Sequence, residues 1–206
     1  MPTERLFFTG DAGRIEVLVD QASGAPRGLA LIAHPHPQYG GTADNKVVQT
    51  LAKTFAELGY IALRPNFRGI GDSLGDYDRG VGETDDLVGV AEQARTRYGE
   101  LPIVLAGFSF GGYVQTRVAQ RVTPERMVLV APATGSLSGD RDYDTPPVRA
   151  DTIVIHGEKD ETVPLVNVLD WARPQDLPII VVPEANHFFH RRLHIIKRLV
   201  QGAWQS

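Results

Sequence analysis

With 206 residues, 42% hydrophobic and 22% charged, residues 1–206 are expected to form one globular domain around a single sizeable core. Lys plus Arg number 21 against 25 Asp plus Glu, a formal charge of −4, and no patch is basic enough to neutralise a run of phosphates, so neither nucleic acid nor a membrane is an expected partner. The lack of cysteine excludes disulfides, thiolate metal sites and a cysteine nucleophile, and the lack of a leader pattern at Met1–Asp11 or a membrane-spanning apolar run makes the cytoplasm the expected location.

Arg5–Thr9 and Arg14–Asp20 read as paired strands joined by a turn at Asp11-Ala12-Gly13, the second alternating Ile15, Val17 and Val19 with polar residues. Gly28–Ala33 reads as a buried strand. Asn45–Leu58 carries Val47, Val48, Leu51, Ala52, Phe55 and Leu58 at helical spacing and stops at Gly59. Tyr60–Arg64 is the next strand, Glu83–Arg97 a helix, Ile103–Ala106 a strand and Gly111–Arg121 a helix. Met127–Ala131 and Thr152–His156 are strands, Leu165–Ala172 a helix, Ile179–Val182 a strand and His190–Trp204 the last helix. Apolar strands alternating with helices predict a mostly parallel sheet covered on both faces, with an antiparallel pair at its beginning. Pro132–Asp151, rich in Gly, Ser, Asp and Pro, reads as a loop too short for a large helical lid.

The sharpest signal is Gly107-Phe108-Ser109-Phe110-Gly111, with Gly112 behind it. It matches G-x-S-x-G, a tight strand-to-helix turn that holds a nucleophilic serine at its apex in a strained conformation. Glycine on either side removes the Cβ atoms that would collide there. The strand Ile103–Ala106 runs into the turn, and the N-terminus of the helix beyond can stabilise an oxyanion. Such a serine needs a base, and the base an orienting acid; behind this elbow they follow in the order serine, acid, histidine. Among the downstream histidines, His156 falls at a strand and His190 and His194 on the last helix. His187 lies on a loop that can return over the carboxyl edge of the sheet, so it is the expected base. The acid is expected in His156-Gly157-Glu158-Lys159-Asp160-Glu161, where Asp160 is short and sits within the turn; Glu158 is the alternative.

The second oxyanion donor is expected on His34-Pro35-His36-Pro37-Gln38-Tyr39-Gly40-Gly41. Proline has no N–H to give, so the expected donors are the backbone N–H groups of His36 and Phe110. His34 and His36 lack the carboxylate or thiolate that would complete a metal site; no metal or cofactor is expected, and His34 reads as a tie between loops. Arg64–Gly75 is glycine-rich but lacks dinucleotide-binding spacing and a helix directly behind it, so it reads as a structural loop that Arg68 braces. Tyr39, Phe108, Phe110, Phe188 and Phe189 are candidate walls of an apolar acyl pocket, or equally members of the core.

Through these stretches the chain resembles the α/β-hydrolase superfamily, and within it the small lidless hydrolases related to dienelactone hydrolases and carboxylesterases. The likeness also takes in Gly40-Gly41-Thr42, Asn45-Lys46-Val47-Val48, Leu63-Arg64-Pro65-Asn66-Phe67-Arg68-Gly69 and Ala185-Asn186-His187-Phe188-Phe189. It implies an α/β-hydrolase fold: a mostly parallel central sheet with antiparallel N-terminal strands, helices on both faces and no lid domain. It also implies Ser109 as nucleophile, Asp160 as acid, His187 as base and His36 at the oxyanion-donor position. Serine stands where dienelactone hydrolases proper use cysteine, a departure from that substrate. The expected activity is hydrolysis of a small-molecule carboxylic ester through an acyl-enzyme, by a monomer or homodimer. A thioesterase, peptidase or acyltransferase using the same three residues is the alternative. A non-catalytic binding protein would have no need to keep all three.

Overall fold

The two-residue turn at Asp11-Ala12 forces β1 (Glu4–Gly10) and β2 (Gly13–Asp20) to pair antiparallel. From there the computed structural model, which describes residues 3–139 and 141–204, follows the predicted alternation closely. β3 (Gly28–Ala33), α1 (Lys46–Glu57), β4 (Tyr60–Pro65), α2 (Val81–Tyr98), β5 (Ile103–Phe108), α3 (Phe110–Val118) and β6 (Arg126–Val130) come in succession. A short hairpin, β7 (Gly135–Leu137) and β8 (Arg141–Tyr143), precedes β9 (Ile153–Gly157), α4 (Leu165–Ala172), β10 (Ile179–Val182) and α5 (Leu193–Ala203). The main sheet runs β1-β2-β4-β3-β5-β6-β9-β10, parallel from β4 to β10, with β2 antiparallel to β4.

Strands β3, β4 and β5 are buried at every residue, because helices cover both faces. Leu29, Leu31, Ile103, Leu105 and Leu129 meet Leu87, Val90 and Ala91 of α2 and Val114 and Val118 of α3. Ile32, Val104, Ala106 and Val130 point the other way, to Val48, Leu51 and Phe55 of α1 and Ile196 and Val200 of α5. Asn45 caps α1, its side chain accepting the N–H of Val47.

Three sequence expectations need correction. The stretch 132–151 is not all loop: β7 and β8 pair within it, in a register too short to leave a periodic pattern. Asn167 of α4 anchors the hairpin by donating to the Thr134 and Ser136 carbonyls, and Asp140 lies outside the described residues. The last helix begins at Leu193, not His190, because Phe189 and Arg191 hold left-handed backbone at φ 51° and 60°. Finally, α2 starts two residues before Glu83, whose carboxylate reaches back to accept the N–H groups of Asp78 and Gly80.

The strand order reverses direction at β3: the chain moves to β4 on one side, then to β5 on the other. The carboxyl ends of β3 and β5 therefore open a crevice, the place where sheets of this kind bind ligands. His34–Gly41 leaves one lip of that crevice and Ser109 the other. Among the described residues, no helical lid covers it.

Candidate active site

Ser109 stands at the apex between β5 and α3 with φ 56° and ψ −120°. The two flanking glycines explain how the chain can turn so tightly. A Cβ on Gly107 would sit 2.4 Å from the Gly111 carbonyl oxygen, and one on Gly111 would sit 2.3 Å from that of Ala33. The strained residue is pinned from both sides. Ser109 N–H donates to the Val130 carbonyl at 2.9 Å, and its own carbonyl accepts from Gly112, Tyr113 and Ala133.

His187 Nε2 lies 3.0 Å from Ser109 Oγ, and His187 Nδ1 lies 2.7 Å from Asp160 Oδ2. All three residues are buried. With Asp160 an acceptor, Nδ1–H donates to the carboxylate and Nε2 is left to accept the Ser109 hydroxyl proton. The other carboxylate oxygen, Oδ1, accepts the N–H groups of Thr162 and Val163 at 2.9 and 2.8 Å. Asp160 is thus fixed by its own turn and cannot rotate away from the imidazole. Glu158 does something else: it accepts the N–H of Glu184, bracing the loop that carries His187.

His156, a residue with no role expected from the sequence, is fully buried beside Asp160. Its Nε2–H donates to the Val163 carbonyl at 3.0 Å and sits 3.6 Å from Asp160 Oδ2, while Nδ1 has no partner. Burial pushes its pKa down against the pull of Asp160. A neutral His156 packs the turn and leaves the carboxylate charge directed at His187. Its signal was positional, a histidine on the strand that leads into the acid turn.

The loop after β3 is ordered by its histidines. His34 Nδ1–H donates to the Pro35 carbonyl at 2.6 Å, and Nε2 accepts the N–H of Phe67 at 2.9 Å. It ties the β3 and β4 loops together, and burial holds its pKa down at about 3. His36 precedes a short 3-10 turn, Pro37–Tyr39, with φ −54° and ψ 121°. Its Nδ1 accepts the Gln38 N–H, so Nε2–H donates to the Tyr77 hydroxyl at 3.1 Å. Burial, then the Arg141 charge, lowers its pKa to about 4. The ring packs 4.9 Å from that of Phe110, the residue after Ser109. Phe110 opens α3, where an N–H has no intrahelical acceptor. Arg68 braces the β4 loop through a two-pronged pair with Asp86.

The aromatic residues divide. Phe108 and Phe189 are fully buried in the core beneath α1 and α5 and line neither of the hollows that Tyr39 and Phe188 line, so of the two expected roles, pocket wall or core, theirs is the core. Large apolar side chains are drawn inward by the area they bury. Phe110 is buried as well, whereas Tyr39 and Phe188 are exposed and each lines a hollow. Tyr77, Arg79, Arg141 and Tyr143 join Tyr39 around the larger hollow. They come from a loop and the β7–β8 hairpin, where no periodicity could have singled them out.

A serine on a strained strand-to-helix elbow, at the switch point of a mostly parallel sheet without a lid, defines an α/β hydrolase of the serine type. The family model of serine aminopeptidase S33 (Hydrolase_4) matches residues 24–140, more than half of the chain, and the chain belongs to that family. An uncharacterized protein of Rickettsia prowazekii is 32% identical over 199 residues, covering 90% of this chain and 82% of its own length. Among solved structures, a lidless α/β serine hydrolase from Xanthomonas campestris is 34% identical at a TM-score of 0.89, covering 100% of this chain and 95% of its own. An α/β serine hydrolase homologue from Coxiella burnetii is 36% identical at 0.85, covering 97% and 96%.

Proposed function

We propose that the chain hydrolyses small carboxylic esters through an acyl-enzyme formed on Ser109. The observation that carries this reading is the unbroken hydrogen-bonded line Ser109 Oγ–His187 Nε2, His187 Nδ1–Asp160 Oδ2, at 3.0 and 2.7 Å. His187 takes the serine proton as Oγ attacks the ester carbonyl, and Asp160 stabilises the imidazolium that forms. The N–H groups of His36 and Phe110, with the N-terminus of α3 behind the latter, hold the tetrahedral oxyanion. His187 then protonates the leaving alkoxide, and water repeats the cycle on the acyl-enzyme. A site without a lid favours small, soluble esters over long lipids. Among the described residues no helix is long and apolar enough to cross a membrane, and the cytoplasm is the proposed compartment.

The test is 4-nitrophenyl acetate turnover by the wild type and Ser109→Ala, together with a fluorophosphonate probe and mapping of the labelled residue. The wild type turns over the ester faster than an acyl thioester or an aminoacyl 4-nitroanilide, and the probe lands on Ser109. Ser109→Ala melts at the wild-type temperature and is inactive. Turnover retained by Ser109→Ala, or a label on another residue, sinks the assignment.

A further inference from the structure

Two hollows adjoin residues of the candidate site, one at His187 and one at His36. One of about 380 Å³ is lined by His187 and Phe188. The other, about 460 Å³, opens on the His36 side and is walled by Tyr39, Tyr77, Tyr143, Arg79 and Arg141. Proton transfer decides which part of an ester each receives. His187 Nε2 has to reach the leaving oxygen, so the alcohol lies toward His187 and Phe188. The carbonyl oxygen points at the N–H groups of His36 and Phe110, and the acyl substituent is left to enter the larger hollow.

That hollow is not built for an alkyl chain. Arg141 is held in place by its Nε–H bond to the Ser138 carbonyl at 2.8 Å, with its guanidinium carbon 4.5 Å over the Tyr39 ring. Arg79 sits on left-handed backbone at φ 52°. Among the described residues, no ion pair joins either guanidinium to a carboxylate. The one carboxylate in the described lining, Asp142, accepts the Ser136 hydroxyl across the hairpin. Burial pushes the Tyr77 phenol up to about 12 and raises that of Tyr143 as well, so both keep a proton to donate. An apolar acyl chain would leave these donors unpaired, and an aminoacyl ammonium would meet two positive charges.

We propose that the preferred substrates are half-esters of short dicarboxylic acids, with the free carboxylate of the acyl group held by Arg79 and Arg141. The proposal rests on Ser109 being the nucleophile. The acyl–oxygen bond breaks as the leaving alkoxide takes its proton from His187. Water then adds to the acyl-enzyme, returning the proton to Ser109 and releasing a dicarboxylate.

The experiment compares 4-nitrophenyl hemiglutarate with its neutral methyl-capped counterpart. In the wild type kcat/KM favours the half-ester by about tenfold or more, the worth of a charge-assisted hydrogen bond. The ratio falls toward unity in Arg79→Gln and in Arg141→Gln; Arg79 is exposed, so at least its variant folds. No preference in the wild type, or a preference that survives both variants, overturns the proposal while leaving ester hydrolysis by Ser109 intact. Should neither ester be turned over, glutarate is titrated into Ser109→Ala by calorimetry. Binding that either arginine variant weakens about tenfold keeps the carboxylate site and removes the hydrolase reading. Absence of such binding overturns the site.

Discussion

Asp160→Asn separates the electrostatic role of the carboxylate from its role in the turn. The amide oxygen can keep the Oδ1 bonds to Thr162 and Val163 N–H, but the NH₂ then replaces the oxygen 2.7 Å from His187 Nδ1. Flipping the amide would turn NH₂ on two backbone donors and lose both bonds, roughly 1 kcal/mol each plus the cost of leaving buried donors unpaired. The imidazole therefore yields: Nδ1 becomes the acceptor, Nε2 carries the proton, and the base facing Ser109 is gone. Loss of the correct tautomer at such a site costs about 10⁴-fold in kcat, about 5 kcal/mol of transition-state stabilisation. Because the shape and the two turn bonds persist, stability should fall by only about 1 kcal/mol, whereas Asp160→Ala loses the same activity and the turn bonds as well. The assay is 4-nitrophenyl acetate turnover beside a urea melt of each variant. Asp160→Asn activity within about tenfold of wild type refutes the tautomer argument, and equal destabilisation by Asn and Ala refutes the role assigned to Oδ1.

The buried histidines make stability fall in mild acid. His34 titrates at about 3 when folded and near 6.5 when unfolded, so its contribution is complete above 6.5 and declines as pH falls toward 3, by up to about 1.4 kcal/mol per unit; His156 acts in the same direction. Urea melts at pH 7.5, 6 and 5 should show this slope, and His34→Gln should make it shallower; a flat profile contradicts it. At the elbow, Gly111→Ala drives a Cβ to 2.3 Å from the Ala33 carbonyl oxygen and should cost more than about 2 kcal/mol, lowering Tm by about 5 °C or more. Gly202→Ala on α5, where a Cβ meets nothing within 4 Å, is the control and should be neutral or stabilising; similar losses at both glycines would show that the close approach to β3 does not set the elbow.

The central strands β3, β4 and β5 were readable because burial on both faces demands unbroken apolar runs, and β3, α4 and β10 begin and end where the pattern predicts. Boundaries failed where side chains or backbone strain override periodicity. Glu83 folds back to lengthen α2, and left-handed Phe189 and Arg191 delay α5. The residues Ser109, Asp160 and His187 were legible for a related reason. Each follows the carboxyl end of a strand, β5, β9 or β10, so chain order alone projects them onto one edge of the sheet. His156 was visible as a residue and invisible as a neighbour, since only the turn at 160–163 brings it against the carboxylate.

The same distinction separates the proposed chemistry from the proposed specificity. Register through the parallel sheet holds β5 against β3 and β6, so Ser109 stands on the most buried part of the molecule, while His187 follows the half-exposed edge strand β10, held in register against β9. Tyr39, Arg79, Arg141 and Tyr143 hang from a 3-10 turn, a strained loop residue and a hairpin of three-residue strands. Few core contacts depend on those pieces, so substitutions there can change which acyl group enters at little cost to the fold. Tyr143 is the exception. It is buried, and its ring packs on Tyr113 of α3 at 5.0 Å and on Phe110 at 6.2 Å, which ties the hairpin to the helix that begins at the serine. A substitution at Tyr143 therefore removes ring contacts to two residues of α3, whereas one at Arg79 removes none.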